Sequence, residues 1–330
     1  MPSIGSKRIV KKSLLLVLFF SLIFVSLRLQ FALLQKIPVQ DANQTFIVER
    51  GDSLYGILSN LEEKYNLSST WWIRFKYMFK ESPVIKAGRY NIFPNTTVSE
   101  LIERFEDGDV QLFKIAIIEG TVAKNNLVNL ENIIEDQNLN FEVPQSVRDI
   151  FAKEALIMPD TYFFSDAQDL KKVLNNSKLF LDEYLNNAWK EKSRNNPLQS
   201  PYEALVLASI IEREAVLPSE QEKIASVFLS RLNIDMKLQA DPTSSYGFYG
   251  DYGKKIGRAV LDDKNPYNTY QNKGLPPGPI CYPSKGAIDA AIKSSPGEFY
   301  YFVAKGDGSH IFSKTYEEHN KAVKKYIYSK

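Results

Sequence analysis

One cysteine, Cys281, stands in the whole chain, so neither an intramolecular disulfide nor a thiolate-rich metal site can form. Histidine is almost as scarce. His310 and His319 are the only two, and no H-E-x-x-H pattern surrounds them, which argues against a zinc centre. No metal and no cofactor is expected. A dominant charge is missing as well: 41 basic residues stand against 39 acidic ones, a net charge of +2, so no global field points to nucleic acid. No G-x-S-x-G motif surrounds any serine, which removes the usual serine-hydrolase signature. Internal repeats are absent, and so is low-complexity sequence beyond the N-terminal segment.

The N-terminus is where apolar residues are concentrated. Lys7, Arg8, Lys11 and Lys12 precede an uncharged run from Ser13 to Leu27; Arg28 interrupts it, and Leu29 to Leu34 resumes it. The run is somewhat short for a span of about 20 residues, but Arg28 can snorkel toward an interface. No small-x-small cleavage site follows, which favours a retained anchor over a signal peptide. Basic residues ahead of the span keep the N-terminus cytoplasmic. Residues 1–36 are therefore expected to form a cytoplasmic tail and a single-pass transmembrane anchor, with the remainder outside the cytoplasm.

After a polar linker, Thr45 to Leu58 reads as a strand, a turn at Gly51 and a helix capped by Asp52 or Ser53. This resembles the start of a LysM-type peptidoglycan-binding module. Trp71 to Phe79 reads as an aromatic-rich helix, with core packing as its expected use and sugar stacking as the alternative. Ala87 to Phe93 suits a second strand, and Thr97 to Glu100 is a capping box for a helix ending at Gly108. Residues 45–110 are expected to form this small LysM-like domain.

Residues 111–330 read as a larger domain. A strand is expected over Leu112–Ile118, helices over 125–137, 151–156 and 170–195, and a turn over Met158–Tyr162. Further on, Ser219 and Glu222 suggest another capping box. Phe299–Ala304 reads as a strand, Lys305–Gly308 as a hairpin turn, and His310 and Phe312 lie on the return strand. Glu318 to Asn320 opens the final helix. Strands mixed among helices give an α+β fold rather than an all-helical lysozyme-like one.

Ser200 to Ala215 is the segment around which this domain is organised. Ser200 can cap a helix, Pro201 fits its first turn, and Glu203 completes the capping box. Ala204 to Ile211 is almost wholly apolar, so the helix should be buried on most sides. Glu212 shares a face with Leu205, Ala208 and Ser209, while Glu214 points roughly the opposite way. A carboxyl at the end of a buried apolar face is partly desolvated, which should raise its pKa toward a general acid's range. Glu212 could equally mark the point where the helix surfaces. Glu214, on the other face, suggests a salt bridge or solvent, and it is the rival acid.

Six segments in order carry a closer resemblance: Ala208 to Glu214, Ala225 to Leu232, Leu238 to Thr243, Tyr267 to Tyr270, Gly274 to Pro279, and His310 to Asn320. Together they resemble the YceG-like (MltG) endolytic murein transglycosylases from about residue 45 to the end. Arg213 and Cys281 to Ser284 depart from the family's commoner residues. The resemblance implies that Glu212 is catalytic and that the MurNAc–GlcNAc β-1,4 bond is cleaved within glycan strands, leaving 1,6-anhydro-MurNAc ends. Gln239, Asp241, Tyr270 and His310 are the expected substrate-binding residues. The implied partners are peptidoglycan glycan strands, the bacterial inner membrane and peptidoglycan synthases, with the catalytic domain periplasmic and a role in terminating nascent strands. Two other functions fit less of this pattern: a non-catalytic, membrane-anchored glycan-binding scaffold and a water-using muramidase.

Overall fold

The structure, a computed structural model, describes residues 4–41 and 44–328. The chain forms two compact units, Met1–Phe113 and Lys114–Lys330, divided at the start of a strand.

The first unit opens with a long helix, α1 (Ile4–Leu34), followed by β1 (Gln44–Val48), α2 (Leu54–Tyr65), α3 (Thr70–Met78), β2 (Gly88–Ile92) and α4 (Val98–Asp107). β1 and β2 pair antiparallel, with Gln44 opposite Ile92 and Val48 opposite Gly88. Alternation along β1 turns Phe46 and Val48 inward, onto Leu54, Ile57, Leu58 and Leu61 of α2 and Leu101 and Phe105 of α4. Ser53 caps α2 by accepting from the Gly56 N–H. Thr97 and Glu100 form the full capping box expected for α4, which ends at Gly108 with φ +73°. A Cβ at Gly108 would meet only the flexible Lys86 side chain, so it is the left-handed conformation that calls for glycine. The end of α1 is tied into this unit: the Val98 N–H donates to the Gln35 carbonyl, and Ala32 and Ile37 are buried in the same core.

In the second unit, β3 (Phe113–Ala116) pairs with β4 (Thr161–Phe164), the segment that the sequence suggested was part of a turn. α5 (Ala123–Asp136), α6 (Gln145–Ile150) and α7 (Ala167–Trp189) belong to this half. The helix expected over 151–156 is a series of turns; the helical segment lies just before it, in α6. α8 (Pro201–Glu214) is central, with α9 (Gln221–Asn233), α10 (Asp241–Tyr249) and α12 (Lys285–Lys293) packed on it and the short α11 (Arg258–Leu261) beside α10. The Ser219–Glu222 capping box does not form. Pro218–Glu220 makes a 3-10 turn instead, and α9 begins without a side-chain cap. An antiparallel hairpin of β5 (Tyr301–Ala304) and β6 (His310–Ser313) leads into α13 (Tyr316–Tyr326). Thr315 and Glu318 cap α13, so that helix starts two residues before the expected point.

Why α8 is central follows from its composition. Ser200 accepts from the Glu203 N–H and Pro201 occupies the first turn, as the sequence suggests. Every residue from Ala204 to Ile211 is buried, on all faces of the helix. Each large aliphatic side chain there contributes about 1.5–3 kcal/mol through burial. Ser209 is the one polar residue in that stretch. Its Oγ donates to the Val206 carbonyl at 2.7 Å and accepts from the Ile280 N–H at 3.0 Å, tying the proline-rich loop to α8.

Candidate functional site

A helix buried on all faces delivers its last polar residues into protein on either side. Glu212 and Glu214 lie two positions apart, about 200° around the helix, and so enter different environments.

Glu212 faces the start of α12. Its Oε2 accepts from the Ser284 backbone N–H at 3.0 Å and from the Ser284 hydroxyl at 2.6 Å. Ser284 is itself the cap of α12, its Oγ accepting from the Ala287 N–H. The carboxylate thereby anchors one core helix to the start of another.

Glu214 faces a cleft of about 400 Å³ lined also by Arg231, Gln239, Asp241, Tyr270, Tyr301, His310 and His319. The four residues singled out as substrate-binding therefore gather around Glu214 rather than around Glu212. Among the described residues Glu214 has no hydrogen bond or ion pair, so the salt bridge suggested by the sequence does not form, and the side chain is half-buried on the cleft wall. Its pKa is pushed up to about 8: burial contributes most, the Asp241 carboxylate adds to it, and Arg231 and Arg213 oppose it. It also ends α8, where the helix dipole disfavours negative charge. The result is a carboxyl that still holds its proton at neutral pH and has no hydrogen-bond partner among the described residues.

The other walls are rigidly built. Arg231 on α9 is 7% exposed, and its guanidinium donates to the carbonyls of Tyr300 and Leu238, each at 2.7 Å. Those partners are neutral, so its positive charge remains to be felt in the cleft. Gln239 adopts φ +47°, a left-handed conformation held by its N–H donating to the Thr269 carbonyl. Asp241 starts α10, and its Oδ1 accepts from the Tyr270 hydroxyl at 2.7 Å. Burial, followed by that contact with Asp241, raises the Tyr270 pKa, keeping the phenol a donor.

Within the Tyr267–Tyr270 segment the roles divide. Buried Asn268 accepts from the Ser244 hydroxyl and the Tyr270 N–H, and donates to the carbonyls of Val260, Leu261 and Asp263. Thr269 accepts from the Ala240 N–H. These two residues hold the loops, and only Tyr270 reaches the cleft.

Both histidines reach the cleft. His310 on β6 is 9% exposed, and its Nδ1 meets the Glu220 carboxylate at 2.7 Å. His319 on α13 stacks on Tyr301, with ring centroids 5.3 Å apart, and its buried Nδ1 has no partner among the described residues. Burial first, and the Arg231 charge second, lower its pKa, so the ring is neutral near pH 7. Sequence reasoning singled out neither Arg231 nor His319 as a site residue. The signal for Arg231 was present: a charged residue one helical turn from Val227 and Phe228 on the apolar side of its helix.

A larger cavity, about 680 Å³, lies along the first turns of α8 and is lined by Glu154, Tyr202, Tyr246 and Tyr267. Burial pushes the Glu154 pKa up to about 7, against the opposing hydrogen bond from the Ala123 N–H. Its two oxygens are occupied, one by the Ala123 N–H that starts α5 and the other by the Tyr246 hydroxyl. Size favours that cavity; chemistry favours the smaller cleft, where the carboxyl is unengaged.

The YceG-like family matches residues 46–325. Similar curated proteins include the endolytic murein transglycosylase of Bacillus subtilis (strain 168), 30% identical over 324 residues, which span 89% of this chain and 88% of that protein. Another is the endolytic murein transglycosylase of Streptococcus pneumoniae serotype 2 (strain D39), 26% identical over 346 residues spanning 91% of this chain and 62% of that longer protein. Among solved structures, a YceG-like protein from Listeria monocytogenes is 28% identical with a TM-score of 0.52, covering 84% of this chain and 98% of the other.

Proposed function

The chain belongs to the YceG-like family, and from that premise we propose that it is an endolytic murein transglycosylase using Glu214 as its acid and base. The observation that carries the residue assignment is the half-buried Glu214 carboxyl, unengaged among the described residues, on the wall of the cleft that Gln239, Asp241, Tyr270 and His310 also line. Its proton passes to the glycosidic oxygen as the bond from that oxygen to the muramic anomeric carbon breaks. The N-acetylglucosamine unit leaves with a free 4-hydroxyl. The muramic 6-hydroxyl then attacks the anomeric carbon, and the Glu214 carboxylate takes the proton it sheds. A 1,6-anhydro ring closes, and no water is consumed. One carboxyl serves both steps, in contrast to the usual pair of glycosidase carboxylates.

Asp241 stands ready to stabilise the positive charge of the oxocarbenium-like transition state, held in place by the Tyr270 hydroxyl. Gln239 and the His319 Nδ1, which has no partner among the described residues, offer polar contacts to sugar hydroxyls and amides. Glu212 is the alternative acid, as the family resemblance implies. Its two hydrogen bonds from Ser284 favour a structural role.

α1 serves as the membrane anchor in this reading. Lys11–Leu34 is long and apolar enough to cross a bilayer, with mean hydropathy 2.3. The preceding basic residues favour a cytoplasmic N-terminus and a periplasmic catalytic unit, which would meet nascent strands and their synthases there. The β1–α2–α3–β2 order supports a LysM-like, glycan-gripping first unit.

Mass spectrometry of isolated glycan strands after incubation with the protein tests the reaction. Internal fragments ending in anhydro-muramic acid are the expected product. Ends heavier by one water would make it a muramidase, and intact strands that still bind would make it a scaffold.

A further inference from the structure

The aromatic helix α3 is not used for the purpose its composition first suggests. Of its residues only Thr70 and Ile73 are buried. Trp71 is 56% exposed and Met78 60%, and the adjoining Phe79 and Val84 reach 77% and 82%. The core-packing expectation therefore fails for Trp71 and Phe79. The rings are nonetheless ordered against one another: Trp71 stacks on Phe75 at 5.5 Å, and Phe75 meets Phe79 edge-on at 5.2 Å. Positions 71, 75 and 79 follow the i, i+4 spacing of one helix face, so this is a continuous apolar stripe. A stripe of that kind in water is costly unless something covers it.

What lies beside it indicates the cover. α3 packs against the second half of α1, and Trp72 meets Phe24 edge-on at 6.0 Å. Val25, Leu29, Ala32 and Leu33 form the less exposed side of α1, while Phe24, Leu27, Phe31 and Leu34 stay exposed. The apolar surface of α1 and the ring stripe of α3 are therefore neighbours.

The length of α1 supplies a reason. Its uncharged run, Ser13–Leu27, holds 15 residues. At about 1.5 Å per residue that is roughly 22 Å, short of a hydrocarbon core about 30 Å thick. Arg28 then enters at the level where apolar surface is still needed, its guanidinium folded 5.3 Å over the Phe24 ring. α3 brings tryptophan and phenylalanine to that depth, the residue types that settle at membrane–water interfaces. Lys76 and Lys80 follow along the same segment, suited to lipid phosphates.

We propose that α3 is a membrane-interface element whose Trp71–Phe75–Phe79 face enters the lipid leaflet at which α1 ends, covering the apolar surface around the point where Arg28 interrupts the uncharged run of α1. This rests on the reading of α1 as an anchor. The first unit then sits against the bilayer instead of hanging from a free tether.

The test uses the full-length chain carrying Trp189→Phe, so that emission comes from Trp71 and Trp72, the two remaining tryptophans. It is reconstituted into phosphatidylcholine–phosphatidylglycerol vesicles with and without acyl-brominated lipid. Flotation with the vesicles reports the anchor; quenching reports α3. The expected result is flotation together with loss of roughly half or more of the emission to brominated lipid and weak quenching by aqueous iodide. Phe75→Ser with Phe79→Ser should float equally well and lose most of the lipid quenching. Flotation with strong iodide quenching and no bromine effect overturns the proposal while leaving the anchor intact. Failure to float overturns the anchor reading instead. Protection from both quenchers that disappears when protein is diluted in lipid assigns the face to a second copy of this chain, and protection gained only with added glycan assigns it to sugar; either result overturns the proposal.

Discussion

Two glutamates separated by one arginine enter different environments. Glu212 is fixed by two hydrogen bonds from Ser284, whereas Glu214 has none among the described residues, and the proposed mechanism gives the fixed carboxylate to stability and the free one to chemistry. Glu212→Ala should therefore lower stability by about 2 kcal/mol, the loss expected when hydrogen bonds to a charged group are removed. A urea melt would read this, and the folded fraction should keep its specific activity. Glu214→Gln should do the reverse. The unfolded carboxyl releases its proton near 4.5 and the folded one near 8, so between those values the folded state holds more protons and loses stability as pH rises. The glutamine variant escapes that loss. Its Tm should match wild type near pH 4 and exceed it at pH 8.5, a difference that disappears if Glu214 is solvated in the folded protein.

At the scale of elements, much of the second unit is legible in the sequence because its helices carry their own punctuation. Ser200, Pro201 and Glu203 mark the start of α8, and the unbroken apolar run marks its burial. The opposite facing of Glu212 and Glu214 also follows from helix periodicity. What periodicity does not contain is which face opens onto the cleft, since that depends on α12 and on the β5–β6 hairpin closing from more than 70 residues away. The same limit explains β4, which is a strand because β3 pairs with it, and Ser219, where Pro218 starts a 3-10 turn in place of a cap. The aromatic helix α3 shows a further limit: sequence gives its stripe but not whether protein or lipid will cover it. Asn268 is the residue on which the cleft loops converge. Asn268→Ala would leave three carbonyls, the Ser244 hydroxyl and the Tyr270 N–H without this partner, at about 2–4 kcal/mol, and release Tyr270. Thermal melts and glycan-cleavage rates should fall together; a rate that fell without loss of Tm would point to direct substrate contact instead.

For the molecule as a whole, the division at Phe113 separates the unit that carries the apolar helix α1 from the one that holds every residue lining the Glu214 cleft. Residues 112–330 should fold cooperatively by themselves, with a single calorimetric transition, and cleave soluble glycan strands. A fragment that fails to fold would mean that the first unit completes the second. The pH dependence of the whole enzyme should be set by Glu214, with activity declining as pH rises through about 8. Asp241→Asn, by removing a negative charge that raises the Glu214 pKa, should move that decline to lower pH. The most direct measurement is the rate of anhydro-muramic product formation by wild type, Glu214→Gln and Glu212→Gln, each checked for folding by circular dichroism. Glu214→Gln should lose roughly 100-fold or more, the usual contribution of a positioned general acid, while Glu212→Gln keeps most of its activity. A folded Glu212→Gln variant that is inactive beside an active Glu214→Gln would return the chemistry to the other face of α8 and contradict the assignment.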